Sequence, residues 1–223
     1  MANENEIELC YMVEIGDPDG FGKASATEMH DQYEYKLPPD EKGQRRGKIR
    51  IRKTVQNNEA RYEETIKTPI NPGSLLGDRE KTVTIDEAYF NTWRHVYRTD
   101  GLKKVRYTFV TMDASMVYNG EKVALPVVKF EVDIFIAPNG RRSKWAKIDI
   151  EVQDIVKLLK EKYPDVDAAR FEIDFSCLPL KTGQVVSMAT KDSEERAAIE
   201  NFFKMFSIPY EAENDGESAS ATA

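Results

Sequence analysis

The sequence predicts a strand-rich α+β protein built around a large antiparallel sheet. Three observations predict it. Long stretches alternate apolar and polar residues with period two, the pattern of strands with one buried face. The polar places on those stretches carry doubled charges that sort by sign from one stretch to the next. Only three segments show helical spacing, and each is bounded by a capping residue or a proline.

The elements follow in order. In "EIELCYMV" (6–13), Ile7, Leu9, Tyr11 and Val13 alternate with Glu6, Glu8 and Cys10. "GDPDGFGKASAT" (16–27) is turn-rich and reads as a loop. "DQYEYKL" (31–37) alternates, and "GKIRIRKT" (47–54) sets Ile49 and Ile51 against Arg50 and Arg52. "RYEETIKT" (61–68) is the next strand, "TPINPGSLLGD" (68–78) a second loop, and "REKTVTID" (79–86) a further strand. "DEAYFNTWRHVY" (86–97) is a helix with Asp86 as N-cap. "KKVRYTFVTM" (103–112) sets Val105, Tyr107 and Phe109 against Lys104, Arg106 and Thr108. "VKFEVDIFI" (128–136) puts Glu131 and Asp133 together, and "WAKIDIEV" (145–152) does the same for Asp149 and Glu151. Asn139-Gly140 between them is a strong hairpin signal. "QDIVKLLKEKY" (153–163) is a helix with Ile155, Leu158 and Leu159 on one stripe, "RFEIDFSCL" (170–178) closes the strand series, and "SEERAAIENFFKMF" (193–206) is the last helix. Residues 1–210 make a single domain, and the small, acidic "EAENDGESASATA" (211–223) reads as a disordered tail.

The totals exclude several classes. The 223 residues are 40% hydrophobic and 32% charged, with a formal net charge of -7. A binder of nucleic acid over its whole surface would be basic, so any polyanion site is local. Cys10 and Cys177 stand far apart, with neither metal nor disulfide spacing, which points to a reduced, cytoplasmic setting. The polar start "MANENE" lacks the apolar core of a secretory signal, and no run of about 18 apolar residues suggests a membrane span.

Side chains two apart on a strand point the same way. Arg50 with Arg52, Lys67, and Lys104 with Arg106 make a cationic set. Glu6 with Glu8, Glu131 with Asp133, and Asp149 with Glu151 make an anionic one. These faces either look at solvent, as in half of an ordinary sandwich, or turn inward in a barrel of about eight strands, which has room for a small ligand. Turned inward, the arginines can grip phosphate oxygens, and the carboxylates can hold Mg²⁺ or Mn²⁺.

In this order the motifs resemble the triphosphate tunnel metalloenzymes, also called the CYTH superfamily after class IV adenylate cyclase and thiamine triphosphatase. The likeness runs from residue 6 to about 152: "EIELC" for the family's Glu-x-Glu-x-Lys, "KIRIRK" for its Arg-x-Arg strand, "ETIKT" for Thr-x-Lys, Arg79 opening the next strand, "KKVRYTF" for Lys-x-Arg, "FEVDIF" with Asp133, and "KIDIEV" for the late Glu-x-Glu. The resemblance implies a closed antiparallel β-barrel forming a tunnel, with peripheral helices. It implies that Glu6, Glu8, Asp149 and Glu151 hold a divalent metal, and that Arg50, Arg52, Lys67, Arg79, Lys104 and Arg106 bind phosphates. Glu6, Glu8, Lys67 and Arg52 would then be catalytic, on a nucleoside triphosphate, inorganic triphosphate or RNA 5′-triphosphate. Two departures stand out. Cys10 takes the place of the family lysine, Lys36 reads as a solvated surface lysine before it reads as a substitute, and "REKTVT" carries Lys81 and Val83 where the family has acids. Both weigh against turnover more than against binding, and Cys10 favours, as an alternative, a protein that binds a nucleotide without turnover; cyclisation of ATP by the same tunnel is a further alternative. His30 and His95 are assigned no role.

Overall fold

The computed structural model describes residues 4–6, 8–70, 78–97, 100–160, 163, 165–167 and 170–209. The acidic stretch 211–223 and most of the 68–78 loop lie outside the described residues. The strands are β1 (Glu4–Glu6), β2 (Glu8–Asp17), β3 (Ala26–Lys36), β4 (Lys48–Gln56), β5 (Glu59–Pro69), β6 (Asp78–Ile85), β7 (Gly101–Thr111), β8 (Ser115–Tyr118), β9 (Glu121–Ala124), β10 (Val128–Ile136), β11 (Arg142–Glu151), β12 (Glu172–Ile173), β13 (Lys181–Ser187) and β14 (Ser207–Ile208). The helices are α1 (Glu87–Tyr97), α2 (Gln153–Lys160) and α3 (Ser193–Phe206).

Eleven strands form one antiparallel sheet, in the order β1-β6-β5-β4-β3-β7-β10-β11-β2-β13, with β14 on β7. A small sheet, β12-β8-β9, stands apart. Consecutive long strands pair as hairpins, which the turn residues explain. Asn57 and Asn58 both take positive φ (51° and 64°) between β4 and β5, as does Asn119-Gly120 (53° and 79°) between β8 and β9; both suit two-residue hairpins. Gly140 (φ 79°) turns the β10–β11 connection foreseen from Asn139-Gly140. Gly47 (φ 109°) lies against the Lys67 carbonyl, where a Cβ would stand 2.0 Å from the oxygen, so only glycine lets β4 begin beside Lys67.

The two faces of the sheet differ in kind. On one, Tyr11 and Val13, Val105 and Phe109, Phe130 and Val132, and Ile148 and Ile150 join Met116, Tyr118, Phe171 and Phe175 in the main core. Ile155, Val156 and Leu159 of α2 complete it. The opposite face of β2, β7, β10 and β11 carries the charged residues. There α3 docks: Phe202 and Phe206 pack with Met12, Phe135 and Val186, and the Phe135 ring meets Phe202 edge-on at 5.5 Å and Phe203 at 5.3 Å. On the outer side of β3 and β5, α1 seats Phe90 between Tyr33 and Tyr62.

Several sequence expectations are corrected. The 170–178 stretch is not the closing strand. Only Glu172–Ile173 is extended, in the small sheet, and Phe175–Cys177 forms a 3-10 turn capped by Asp174. The edge strand of the main sheet is β13, "KTGQVVS", whose lysine, threonine and glycine hid its alternation. Residues 16–27 are less of a loop than expected, because β2 runs to Asp17 and β3 starts at Ala26, leaving one 3-10 turn between them. No helix among the described residues is long and apolar enough to cross a membrane.

Candidate active site

The charged face encloses a cavity of about 1070 Å³, lined from β2, β3, β4, β5, β6, β7, β10 and β11, with α3 and the start of β14 across one side. Alternation puts the motif residues there in turn. Arg50 and Arg52 come from β4, Lys67 from β5, Lys104 and Arg106 from β7, and Glu8, Asp149 and Glu151 from β2 and β11. The stretches read as separate motifs thus converge on one space.

Nearly every cation in it is paired. Arg50 donates to Glu80 Oε1 at 3.2 Å and to Thr65 Oγ1 at 3.3 Å, and Lys67 Nζ lies 2.8 Å from Glu80 Oε2. Lys48 meets Glu34 at 2.9 Å. Asp133, fully buried, accepts from Arg106 Nε at 2.7 Å and Nη2 at 2.8 Å, and also from Lys104. Arg106 extends to Glu131 and, at 3.5 Å, to Asp149. Despite burial, Lys104 and Arg106 hold the Asp133 carboxyl well below the usual carboxylate range. Burial, with Arg106 and Arg52 nearby, pushes Lys104 down to about 7 against the pull of Asp133.

Arg52 is the exception. Among the described residues no carboxylate lies within ion-pair distance of it. It donates only to Gln32 Oε1, at 3.4 Å, and its Nε is buried without a partner. Burial first, then Arg50 and Arg106, push its guanidinium down to about 10. The Nε of Arg50 is likewise buried and unpartnered. Unspent N–H donors on a destabilised cation are what an anion would satisfy.

At the acidic end, Cys10 stands directly opposite Asp149, and Glu8 opposite Glu151. The ligating atoms of Glu8, Cys10 and Asp149 all lie within 4.8 Å of one another, and the Cys10 thiol donates to Glu8 Oε2 at 3.6 Å. Burial keeps this thiol protonated, with its pKa well above the ordinary value. Glu151 is at the exposed rim, 3.0 Å from Lys129. The Glu6 side chain lies outside the described residues, but its backbone sits opposite Asp78 of β6.

Sequence reasoning missed Lys147. Its ammonium binds Asp149, and the attraction of Asp149, with that of Glu8, holds it protonated against the cost of burial. It supplies beside Cys10 the charge that a lysine at position 10 would have carried. The signal was present, since Lys147 stands two residues before Asp149 on the same strand face. Lys36, read from the sequence as a solvated lysine, is exposed at the mouth of the cavity. Arg79 is corrected too. It is exposed on the outer face of β6, because Lys67 and Thr65 pair directly with Glu80 and Thr82 and so fix the even-numbered residues inward. The acid of this strand is therefore Glu80, one place from where the motif comparison put the arginine. His30 is fully buried, with Glu28 as its partner at 3.0 Å.

No protein-family model matches the chain, and neither does any curated protein. Solved structures do. The PH1819 protein of Pyrococcus horikoshii OT3 is 18% identical, with a TM-score of 0.43 over 75% of this chain and 93% of that one. The inorganic triphosphatase NE1496 is 18% identical, with a TM-score of 0.37 over 75% and 88%. HpAC1 of Hippeastrum, described as an adenylyl cyclase with a dominant triphosphatase activity, is 14% identical, with a TM-score of 0.38 over 76% and 92%. At such identities and scores these likenesses carry no argument, and the site stands on its own geometry.

Proposed function

We propose that this protein is a divalent-metal-dependent hydrolase of triphosphates, and that its sheet closes into a tunnel around them. Closure is supported by one short piece of chain. Glu6 pairs with Asp78 on β6, second in the strand order, and Glu8 with Glu151 on β11, third from its other end. Residues two apart are at most about 7 Å from each other, so β1 and β2, from the two halves of the order, approach within that span there.

The observation that carries the function is Arg52, a guanidinium with a buried, unused Nε and, among the described residues, no carboxylate within ion-pair distance, set between Arg50 and Arg106. Unused N–H donors on such a group suit a polyanion. Arg50, Arg52, Lys67, Lys104 and Arg106 would hold the phosphate oxygens. In the cluster of Glu8, Cys10 and Asp149 the thiol is held neutral, and the carboxylates of Glu8 and Asp149, with Glu151 opposite Glu8 and Glu6 adjoining in sequence, would suit a hard cation that takes oxygen ligands, Mg²⁺ or Mn²⁺. When bound, such an ion would polarise phosphate oxygens and offset the charge that develops on them. Lys147 favours hydrolysis over binding without turnover, since it restores an ammonium beside Cys10. Charge stabilisation and positioning account for most of the catalysis in phosphoryl transfer.

The test is incubation of the purified protein with Mn²⁺ and either tripolyphosphate, ATP or a 5′-triphosphorylated RNA. Release of orthophosphate supports the reading and identifies the substrate. Cyclic AMP with pyrophosphate makes the protein a cyclase, and tight binding without products makes it a sequestering protein. Failure to bind any triphosphate removes the tunnel reading altogether.

A further inference from the structure

One buried titratable group near the phosphate-binding residues has no part in holding phosphate. His30 of β3 is 1% exposed and faces the same side of the sheet as Gln32 and Glu34; it lies behind the cavity lining, opposite Lys104, which is part of that lining. Its Nε2 lies 3.0 Å from Glu28 Oε2, and Glu28 Oε1 also accepts from Arg61 at 2.9 Å. The His30 hydrogen bond, then Arg61, hold Glu28 down to about 2, so it is ionised and accepts the proton on Nε2. That fixes the tautomer and leaves Nδ1 as a lone-pair acceptor. Nδ1 is buried without a partner. Directly opposite on β4 stands Thr54, 1% exposed, with a hydroxyl that is also buried and unpartnered. On the other flank His30 is opposite Lys104 of β7. The charged groups around the ring are therefore Glu28 on its own strand, Arg52 from β4, and Lys104 and Arg106 from β7. Burial, and then those three cations, keep the imidazole neutral, down to about 4.

An acceptor and a hydroxyl on directly opposed residues, with Cβ atoms about 5 Å apart, can share one small donor molecule. We propose that His30 is the proton acceptor for the water that attacks the terminal phosphorus of a triphosphate held by Arg52, Lys104 and Arg106, with Thr54 holding that water and Glu28 fixing the imidazole. This rests on the hydrolytic reading above. The water oxygen bonds to phosphorus as one of its protons passes to Nδ1. The bond from phosphorus to the bridging oxygen breaks, and the diphosphate portion leaves with that electron pair. His30 then returns its proton to solvent. The acidic cluster lies on β11 and β2, three and four ladders along the sheet from β3. Attacking and leaving oxygens thus have separate supports, as in-line displacement requires.

The experiment compares wild type, His30→Gln and Thr54→Val for orthophosphate release from tripolyphosphate with Mn²⁺, alongside tripolyphosphate affinity without turnover in Ca²⁺ and thermal melting. Gln keeps a hydrogen bond toward Glu28 but accepts no proton. His30→Gln is expected to turn over at least ~100-fold more slowly than wild type, and Thr54→Val about tenfold more slowly, both with affinity within threefold of wild type. Rates within threefold of wild type in both variants overturn the proposal and leave the hydrolase reading intact. So does a loss that appears in affinity rather than in turnover, because it makes His30 a binding group. If His30→Gln does not fold, Thr54→Val decides alone by the same criteria. A wild type without turnover removes the hydrolase reading itself.

Discussion

Replacing Arg52 with Met should raise the stability of the free protein while it weakens triphosphate binding. The two effects have one cause. The guanidinium sits at about 10, against an ordinary value above 12, because burial, Arg50 and Arg106 oppose its charge more than Asp133 and Glu63 support it. At 1.36 kcal/mol per pH unit that amounts to roughly 3 kcal/mol. Solvent in the cavity, the lost 3.4 Å bond to Gln32 and relaxation reduce the net gain to about 1–2 kcal/mol. In a domain of this size Tm should rise by roughly 2–8 °C. A charge-assisted hydrogen bond to phosphate contributes roughly 1.5–3 kcal/mol, so affinity for tripolyphosphate should fall by about 10- to 150-fold. Differential scanning fluorimetry and isothermal titration of the same preparation measure both. A fall in Tm with unchanged affinity would refute the reasoning, because it would make Arg52 part of the structural network and not of the site.

Other changes have opposite or separate signatures. Asp133→Asn leaves Lys104 and Arg106 buried without their carboxylate and should cost about 3–5 kcal/mol, read as a lower midpoint in urea. Glu8→Gln should abolish the Mn²⁺ dependence of turnover while tripolyphosphate still binds at its metal-free level; a full metal response would count against the acidic end as the metal site. Stability should fall as pH drops from 6.5 to 4, because His30 titrates near 6.5 when unfolded and about 4 when folded, so the unfolded chain binds more protons in that window. The loss approaches roughly 3 kcal/mol, and His30→Gln should flatten that limb of the melting profile. Glu28 and Glu34, each held down to about 2, act below it, where stability falls as pH passes from about 4 toward 2.

The long strands were legible because one face of each carries apolar residues at every second place, and the site was legible because the other face carries charge at the same period. What the sequence hid follows from pairing. Arg79 and Glu80 are adjacent, and only the register of β6 on β5 decides which of them turns inward. Lys147 reads as one more lysine until β11 is laid against β2, which puts Asp149 opposite Cys10 and brings the ammonium to both. His30 gained a partner from two residues before it on its own strand, but its burial comes from β4 and β7 on either side. The strand β13 was missed because an edge strand needs less apolar pattern than a central one. The strands were thus readable from periodicity, and the charged residues that line the cavity from spacing. The choice between neighbours needed the ladder.

The balance of charge in the cavity explains why a cation should accompany the ligand. Nine basic side chains line it, counting Lys36 and Lys204 at its rim, against eight acidic ones. A tripolyphosphate brings several negative charges into a space that is nearly neutral and already paired. It can be met by Arg52 alone, by carboxylates such as Glu80 giving up Arg50 and Lys67, or by divalent ions drawn to Glu8, Asp149 and Glu151. Breaking a half-buried pair leaves a carboxylate facing the phosphates, and like charges at close range in a poorly solvated site are costly. Two added positive charges avoid that exchange. Tripolyphosphate affinity should therefore drop by tenfold or more in EDTA, and should recover with Mn²⁺ in wild type but not in Glu8→Gln. Equal affinity with and without divalent ions would mean that the basic residues give up their partners unaided, and that the acidic end serves only to hold Lys147 and Arg106 in place.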